Sequence, residues 1–200
     1  NFTYLEGQYV NLIRGNINRS YSIANANKGD NQLEFIIKNY DKGIMSNYWF
    51  KEAKNEDLIR LNDPLGTFFF RNKSYRKIIF LATGTGIAPV KSILQGLENS
   101  KRPSAEIFVF WGARFQSQLF LNSLPIVGKD FHKVVSRPNN EWIGKTGYVQ
   151  DVLANLLKDL TNCAVYACGS NVMIESAKKL LTEIGLKEED FYSDAFVSSN

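Results

Sequence analysis

Cysteine and histidine are almost missing from this chain, with two cysteines and one histidine in 200 residues. Cys163 and Cys168, placed on a single strand, stand about 16 Å apart at ~3.3 Å per residue. A disulfide needs Cα atoms within about 7 Å, so no crosslink is expected. With His132 they offer no recognisable metal-ligand spacing, and an iron–sulfur cluster wants about four thiolates, so any such cluster must lie elsewhere. His132 flanks the apolar pair Val134–Val135 with no nucleophile spaced to it, and reads as a surface or strand-edge residue. No apolar run approaches the roughly 20 residues of a membrane span, and no charged-then-apolar leader opens the chain. No membrane contact is expected, and a cytoplasmic location is the default. Excess charge of one sign is also scarce, since 24 Lys and Arg face 20 Asp and Glu, giving +4. With no dense basic block among them, nucleic acid is a poor candidate partner.

What is present begins with composition: 44% hydrophobic residues supply a real core for one large or two small domains. Residues 78–91 then read as a buried strand breaking into a glycine loop, with Pro89 placed for the first turn of a helix. Gly84 and Gly86 permit a tight turn and a close approach to a ligand, while the helix start presents free N–H groups and a positive dipole end. The pattern departs from G-x-G-x-x-G in having Pro89 where the third glycine would stand, so an ordinary strand-to-helix turn is the competing reading.

Residues 72–75 divide two patterns. Before them come short alternating segments at 8–13, 21–24, 33–38, 58–61 and 67–70, separated by Asn, Gly and Asp turns, with a short helix over 49–53. After them, strands at 78–82, 105–111, 132–136 and 164–168 alternate with helices at 88–98, 117–124, 147–158 and 171–184. The expectation is an α/β two-domain chain: a partial antiparallel β-barrel over 1–73, then a doubly wound parallel sheet over 74–200.

In such a sheet, ligands bind beyond the carboxyl ends of the strands. The glycine loop with Thr83 and Thr85 is one such place. Arg114 after the second strand has no acidic neighbour to read a ribose, and Ser136–Arg137, with Lys145 and Tyr148, suits a 2′-phosphate or is simply a solvated loop. Cys168–Gly169 ends the fourth strand, where a lone buried cysteine is usually inert packing. In the barrel half, alternation puts Arg19 and Tyr21 on one face beside Ser22. A guanidinium clamps a pyrophosphate, a ring stacks on a heterocycle and a hydroxyl bonds a ring nitrogen, which together meet a flavin's needs. Gly43, Met45 and Ser46 form a second turn suited to phosphate, or merely a capped helix.

These motifs, in this order, resemble the ferredoxin–NADP⁺ reductase superfamily of two-domain flavoproteins over nearly the whole chain. Arg19-x-Tyr21-Ser22 is similar to its flavin motif, Gly43-x-Met45-Ser46 to its flavin-phosphate turn, Thr83-Gly84-Thr85-Gly86-x-Ala88-Pro89 to its nicotinamide loop, and Cys168-Gly169-x-x-x-Met173 to its nicotinamide-end motif. The resemblance implies Arg19 on the FAD pyrophosphate, Tyr21 on the isoalloxazine, Ser22 near its N5, Cys168 near the hydride-donating carbon, and Phe196 or Tyr192 covering the flavin. The ending Asp190–Phe196 is most similar to CDP-6-deoxy-Δ3,4-glucoseen reductase and related reductases, which implies electrons passing from NADH through FAD to an iron–sulfur acceptor. NADPH stays open because of Ser136–Arg137. The chain opens at Asn1 on the equivalent of a mid-barrel strand, so the first barrel strands are expected to be missing and the chain to be a piece of a longer one. A nucleotide-binding regulatory or electron-transfer subunit without catalysis of its own is the alternative. A flavin-free dehydrogenase is disfavoured, because no His, Lys or Tyr is placed as a proton donor to a carbonyl.

Overall fold

Alternating apolar residues at Val10 and Leu12 give β1 (Tyr9–Arg14) one buried face, and it pairs antiparallel with β2 (Ile17–Ser22). The computed structural model describes residues 2–100, 105–127 and 130–196. A short helix α1 (Ile44–Asn47) runs into a π-helical turn at Tyr48–Glu52, and β3 (Arg60–Leu61) closes on the other side of β1. Val10, Leu12, Ile23, Met45 and Tyr48 form this half's core. The expected strands at 33–38 and 67–70 do not form ladders. Phe35 makes one isolated bridge to Ile23, and Phe68 turns instead into the core of the second half.

That second half is built around central strands whose residues are buried on both faces, the mark of a covered parallel sheet. Its strands are β4 (Lys77–Thr83), β5 (Glu106–Ala113), β6 (Phe131–Val135), β7 (Lys145–Thr146), β8 (Cys163–Ser170) and β9 (Phe191–Phe196), in the spatial order β7-β6-β5-β4-β8-β9. Every neighbouring pair is parallel. Helix α2 (Ile87–Asn99) covers one face through Ile87, Val90, Ile93, Leu94 and Leu97. Helices α3 (Val149–Leu156) and α4 (Asn171–Glu183) cover the other, where Ile79 and Leu81 of β4 meet Leu153, Ala177 and Leu181. Each such buried Val, Leu or Ile side chain contributes about 1.5–3 kcal/mol.

The expected helix at 117–124 is absent. Only a single 3₁₀ turn forms at Gln116–Gln118, closed by the Gln118 side chain accepting the Arg114 and Phe115 N–H groups. Leu119, Leu124 and Val127 then enter the core at irregular spacing, ahead of and beyond Pro125, which a helix could not match. The other three helices of this half stand within a few residues of their expected limits.

Helix α2 also joins the halves. Ser92 donates its hydroxyl to the Asn25 carbonyl (2.6 Å), the Ala26 N–H donates to Gln95 Oε1 (3.0 Å), and Lys91 pairs with Glu34 (2.6 Å). A second seam is aromatic. Tyr166, at the middle of β8, stacks on Phe70, Phe80 and Tyr192 and accepts the Arg71 N–H (2.9 Å).

Candidate functional site

The chain leaves β4 toward β5, β6 and β7, then returns to place β8 on β4's other side, so the strand order reverses between β4 and β8. A crevice opens at the carboxyl ends of strands at such a point. Here Gly84–Gly86 form a 3₁₀ turn leading directly into α2, and Gly169–Ser170 lead into α4. The two loops touch. A Cβ on Gly86 would stand 2.2 Å from the Cys168 carbonyl oxygen, and one on Gly169, at φ +144°, would stand 2.1 Å from Thr83 Oγ1. Glycine at 86 therefore allows the contact between the loops. Gly84 differs: its φ is +56° and nothing lies within 4 Å of where a Cβ would point. The first N–H groups of such a turn have no partner within it.

Side chains hold this frame. Thr83 Oγ1 accepts the Ser170 N–H (3.2 Å), Ser170 Oγ caps α4 by accepting the Met173 N–H (3.4 Å), and Trp111 Nε1 donates to the Gly84 carbonyl (2.9 Å). Pro89 is buried in the first turn of α2. Met173 packs its side chain into the α3–α4 core.

Cys168 is wholly buried in the α2 layer, and burial, reinforced by Asp194, pushes its thiol well above the usual range. It is a neutral apolar wall and no nucleophile. Cys163, five residues away on the same strand, faces the opposite layer, and both thiols are free. Asp194, which the sequence reading passed over, pairs in register with Cys168, and burial raises its carboxyl above 3.8. A carboxyl held up in the fold favours folding below the unfolded value and loses that contribution as pH rises through the folded one. Asp194→Asn is thus expected to melt higher than the parent at pH 7, the gain fading toward about pH 3.5; melts at both pH values check it, and a lower melting point at pH 7 would refute it.

Phe196 ends the described part of β9 opposite Ser170 and packs against the same layer. Tyr192 does not reach the crevice. Its ring stacks on Tyr166 at 4.9 Å, and its hydroxyl pairs with that of Tyr75 (3.1 Å). Tyr75 in turn donates to Asp190 (2.6 Å).

At the ends of β5 and β6, the Ser136 N–H donates to the Ala113 carbonyl (3.0 Å) and the Arg137 N–H to the Arg114 carbonyl (2.9 Å). The structure thus brings Arg114, Ser136 and Arg137 together. Both arginines are exposed, and among the described residues neither joins an ion pair. Lys145 and Tyr148 are exposed nearby in sequence, at β7 and ahead of α3. His132 lies on β6 short of its pairing with β7, its ring against Phe110 at 4.8 Å, and burial lowers its pKa.

In the barrel half, Arg19 and Tyr21 share a face of β2, and Ser22 is buried at its end. Among the described residues the Arg19 guanidinium bonds only its neighbour's carbonyl, that of Asn18 (2.7 Å). Tyr21 is half-buried, its hydroxyl accepting from Trp49 Nε1 (3.1 Å) and its ring edge-on to Phe35 and Trp49. Trp49, missed in the sequence because only its helical position was considered, fixes that phenol. Met45 and Ser46 are buried beside Gly43, and Ser46 Oγ is occupied by the Tyr40 N–H (2.7 Å) and Asn39 Oδ1 (3.0 Å). A phosphate at this turn would meet backbone N–H groups, not a free hydroxyl. Among the described residues no helix is long and apolar enough to cross a membrane, and no group of His, Cys, Asp or Glu could hold a metal.

Comparison with known proteins matches residues 1–70 to the oxidoreductase FAD-binding domain and residues 80–179 to the oxidoreductase NAD-binding domain. The chain is 41% identical over 202 residues to a CDP-6-deoxy-L-threo-D-glycero-4-hexulose-3-dehydrase reductase of Yersinia pseudotuberculosis, covering 98% of this chain and 60% of that protein. It is 31% identical to a probable flavin reductase of Aliivibrio fischeri, covering 96% of this chain and 86% of that one. A solved ferredoxin NADP⁺ reductase from Neisseria gonorrhoeae, with bound FAD and NADP, superposes with a TM-score of 0.83 over 97% of this chain and 87% of its own, at 22% identity, and so shares the fold.

Proposed function

The chain belongs to the family of oxidoreductases that join an FAD-binding domain to an NAD-binding domain, and from that membership we propose that it takes hydride from NADH or NADPH onto FAD and passes the electrons singly to an iron–sulfur partner. One observation carries the reading: the Gly84–Gly86 turn and the Cys168–Ser170 loop are in contact at the switch point, with the space beside Gly84 open. A pyrophosphate fits that space, where the N–H groups of the turn and the positive end of α2 face it. Thr83, Gly84, Thr85, Gly86 and Pro89 would hold it, Arg114, Ser136 and Arg137 the adenosine end, and Cys168, Gly169 and the Met173 backbone the nicotinamide end. Two uncommitted guanidiniums at the adenosine end suit a 2′-phosphate as well as a ribose, so both dinucleotides are accepted.

FAD would lie on the β2 face. Arg19 would meet its pyrophosphate, Tyr21 its ring system, Ser22 the ring nitrogen and the Gly43–Met45–Ser46 turn its phosphate. When bound, FAD supplies the exchange between a two-electron hydride and single electrons. The chain's own residues bind, orient and exclude water. The Trp49 N–H fixes the Tyr21 phenol, the buried neutral Cys168 presents no charge to the reacting atoms, Asp194 holds a proton more readily than an ordinary carboxyl, and Phe196 shields the crevice.

The chain spans 60% of the Yersinia relative, whose name makes it the reductase of a dehydrase acting on a CDP-linked deoxyhexulose. A dehydrase of that class is the partner proposed here. The test is the visible spectrum of the purified protein with any flanking residues included. A yellow protein bleached anaerobically by NADH or NADPH, then reoxidised by a one-electron iron–sulfur acceptor, is expected. A protein that stays colourless after exposure to FAD, yet binds ADP-ribose, would replace this reading with a nucleotide-binding subunit.

A further inference from the structure

The site contains a residue with no assigned part, the fully buried Trp111 of β5. Its ring is fixed by Phe131, nearly parallel at 6.2 Å, and by Phe120, edge-on at 5.1 Å. Its indole N–H is thereby aimed from within the α2 layer at the underside of the glycine turn, where it donates to the Gly84 carbonyl at 2.9 Å. That carbonyl also accepts a backbone N–H from the Ile87 end of the turn. Both of its lone pairs are used inside the protein.

A trans peptide is planar, and its C=O and N–H point in opposite directions. Fastening the Gly84 oxygen inward therefore turns the N–H of the next residue, Thr85, the opposite way, away from the indole. Glycine at 84 makes this possible, because its φ of +56° disfavours residues with a Cβ. Without the indole, the Gly84–Thr85 peptide keeps only its bond within the turn and is freer to rotate. We propose that Trp111 is a positioning residue, which holds this peptide so that the Thr85 N–H is presented to the dinucleotide pyrophosphate. The proposal rests on the crevice being the dinucleotide site.

A bond from the Thr85 N–H to the pyrophosphate is remote from the reacting atoms and is made alike in ground state and transition state, so weakening it by freeing the peptide raises KM and leaves kcat little changed. Trp111→Phe keeps a ring in the core and removes only the donor. The expected result is a dissociation constant for ADP-ribose raised about tenfold, roughly the worth of one fixed hydrogen bond to a charged group. The KM for NADH should rise by the same factor at near-constant kcat. A Phe variant that binds ADP-ribose as tightly as the parent, or loses kcat at unchanged KM, would overturn the proposal.

A second measurement needs no variant. The chain has three tryptophans, and the indole N–H groups of Trp49 and Trp142 are bonded elsewhere, to Tyr21 and to the Lys145 carbonyl. In ¹⁵N-labelled protein, saturation with inorganic pyrophosphate should shift the Thr85 amide and the Trp111 indole signals and leave the other two indoles in place. Saturation with neither signal moving would refute the role of Trp111. If the parent protein binds neither pyrophosphate nor ADP-ribose, the dinucleotide reading itself fails, which is a different result.

Discussion

Gly86→Ala is expected to lower the melting temperature by about 6–12 °C and to weaken dinucleotide binding tenfold or more. The added Cβ would stand 2.2 Å from the oxygen and 2.7 Å from the carbon of the Cys168 carbonyl. Both are backbone atoms of a central strand, so no side chain can rotate away. Either the start of α2 lifts or β8 shifts, and overpacking of this kind costs about 3 kcal/mol at the upper end of its usual range. Each kilocalorie corresponds to about 2–4 °C for a domain of this size. Gly84→Ala is the informative companion. It meets no atom, so only its positive φ counts, at about 1 kcal/mol, yet its methyl would occupy the open space and should abolish ADP-ribose binding in a protein that melts nearly as before. Thermal melts with ADP-ribose titrations separate the two. A Gly86→Ala protein melting within about 2 °C of the parent would show that the two loops do not depend on their contact.

Tyr166→Ala should be the most destabilising single change in the α/β half, at about 3–5 kcal/mol, or roughly 6–20 °C. The ring is fully buried, stacked on Phe70, Phe80 and Tyr192 and edge-on to Phe68. Phe68 and Phe70 come from the end of the barrel half, so the cavity would open along the seam between the halves. Tyr166→Phe keeps every ring contact and removes only the acceptor for the Arg71 N–H. That N–H belongs to a half-buried residue that water can reach, and its loss is expected to cost about 1 kcal/mol. Burial pushes the Tyr166 hydroxyl up to about 12, so the stability it confers is complete below about pH 10 and declines as pH rises toward 12. Melting across that range should fall less steeply in Tyr166→Phe than in the parent. Equal slopes would show that the phenol is not linked to folding.

The sequence made the parallel sheet legible because 78–82 and 163–168 are unbroken apolar runs with a glycine close behind, a pattern that allows few alternatives. The barrel half was harder to read. Residues 67–70 have a strand's composition, but their rings are drawn to Tyr166, ninety-odd positions away, and no local pattern reports that attraction. The segment 117–124 looked helical by composition, and the Gln118 side chain bonding back to Arg114 and Phe115 closes it after one turn. Within the crevice, the glycines could be found but not sorted. That Gly86 meets protein while Gly84 meets open space depends on how closely β8 lies against β4. Asp194 escaped notice because its character comes from burial beside Cys168, which only the pairing of β8 with β9 creates.

The odd spacing of the two cysteines on β8 has a practical consequence. One thiol lies in the α2 layer that walls the crevice and adjoins the barrel, and the other in the α3–α4 layer away from it. Neither is accessible to a reagent in the folded state, so each can be alkylated only when its own layer opens. The chain thus carries two internal clocks on one strand, and the ratio of their labelling rates distinguishes a local parting of the ligand-binding side from collapse of the whole sheet.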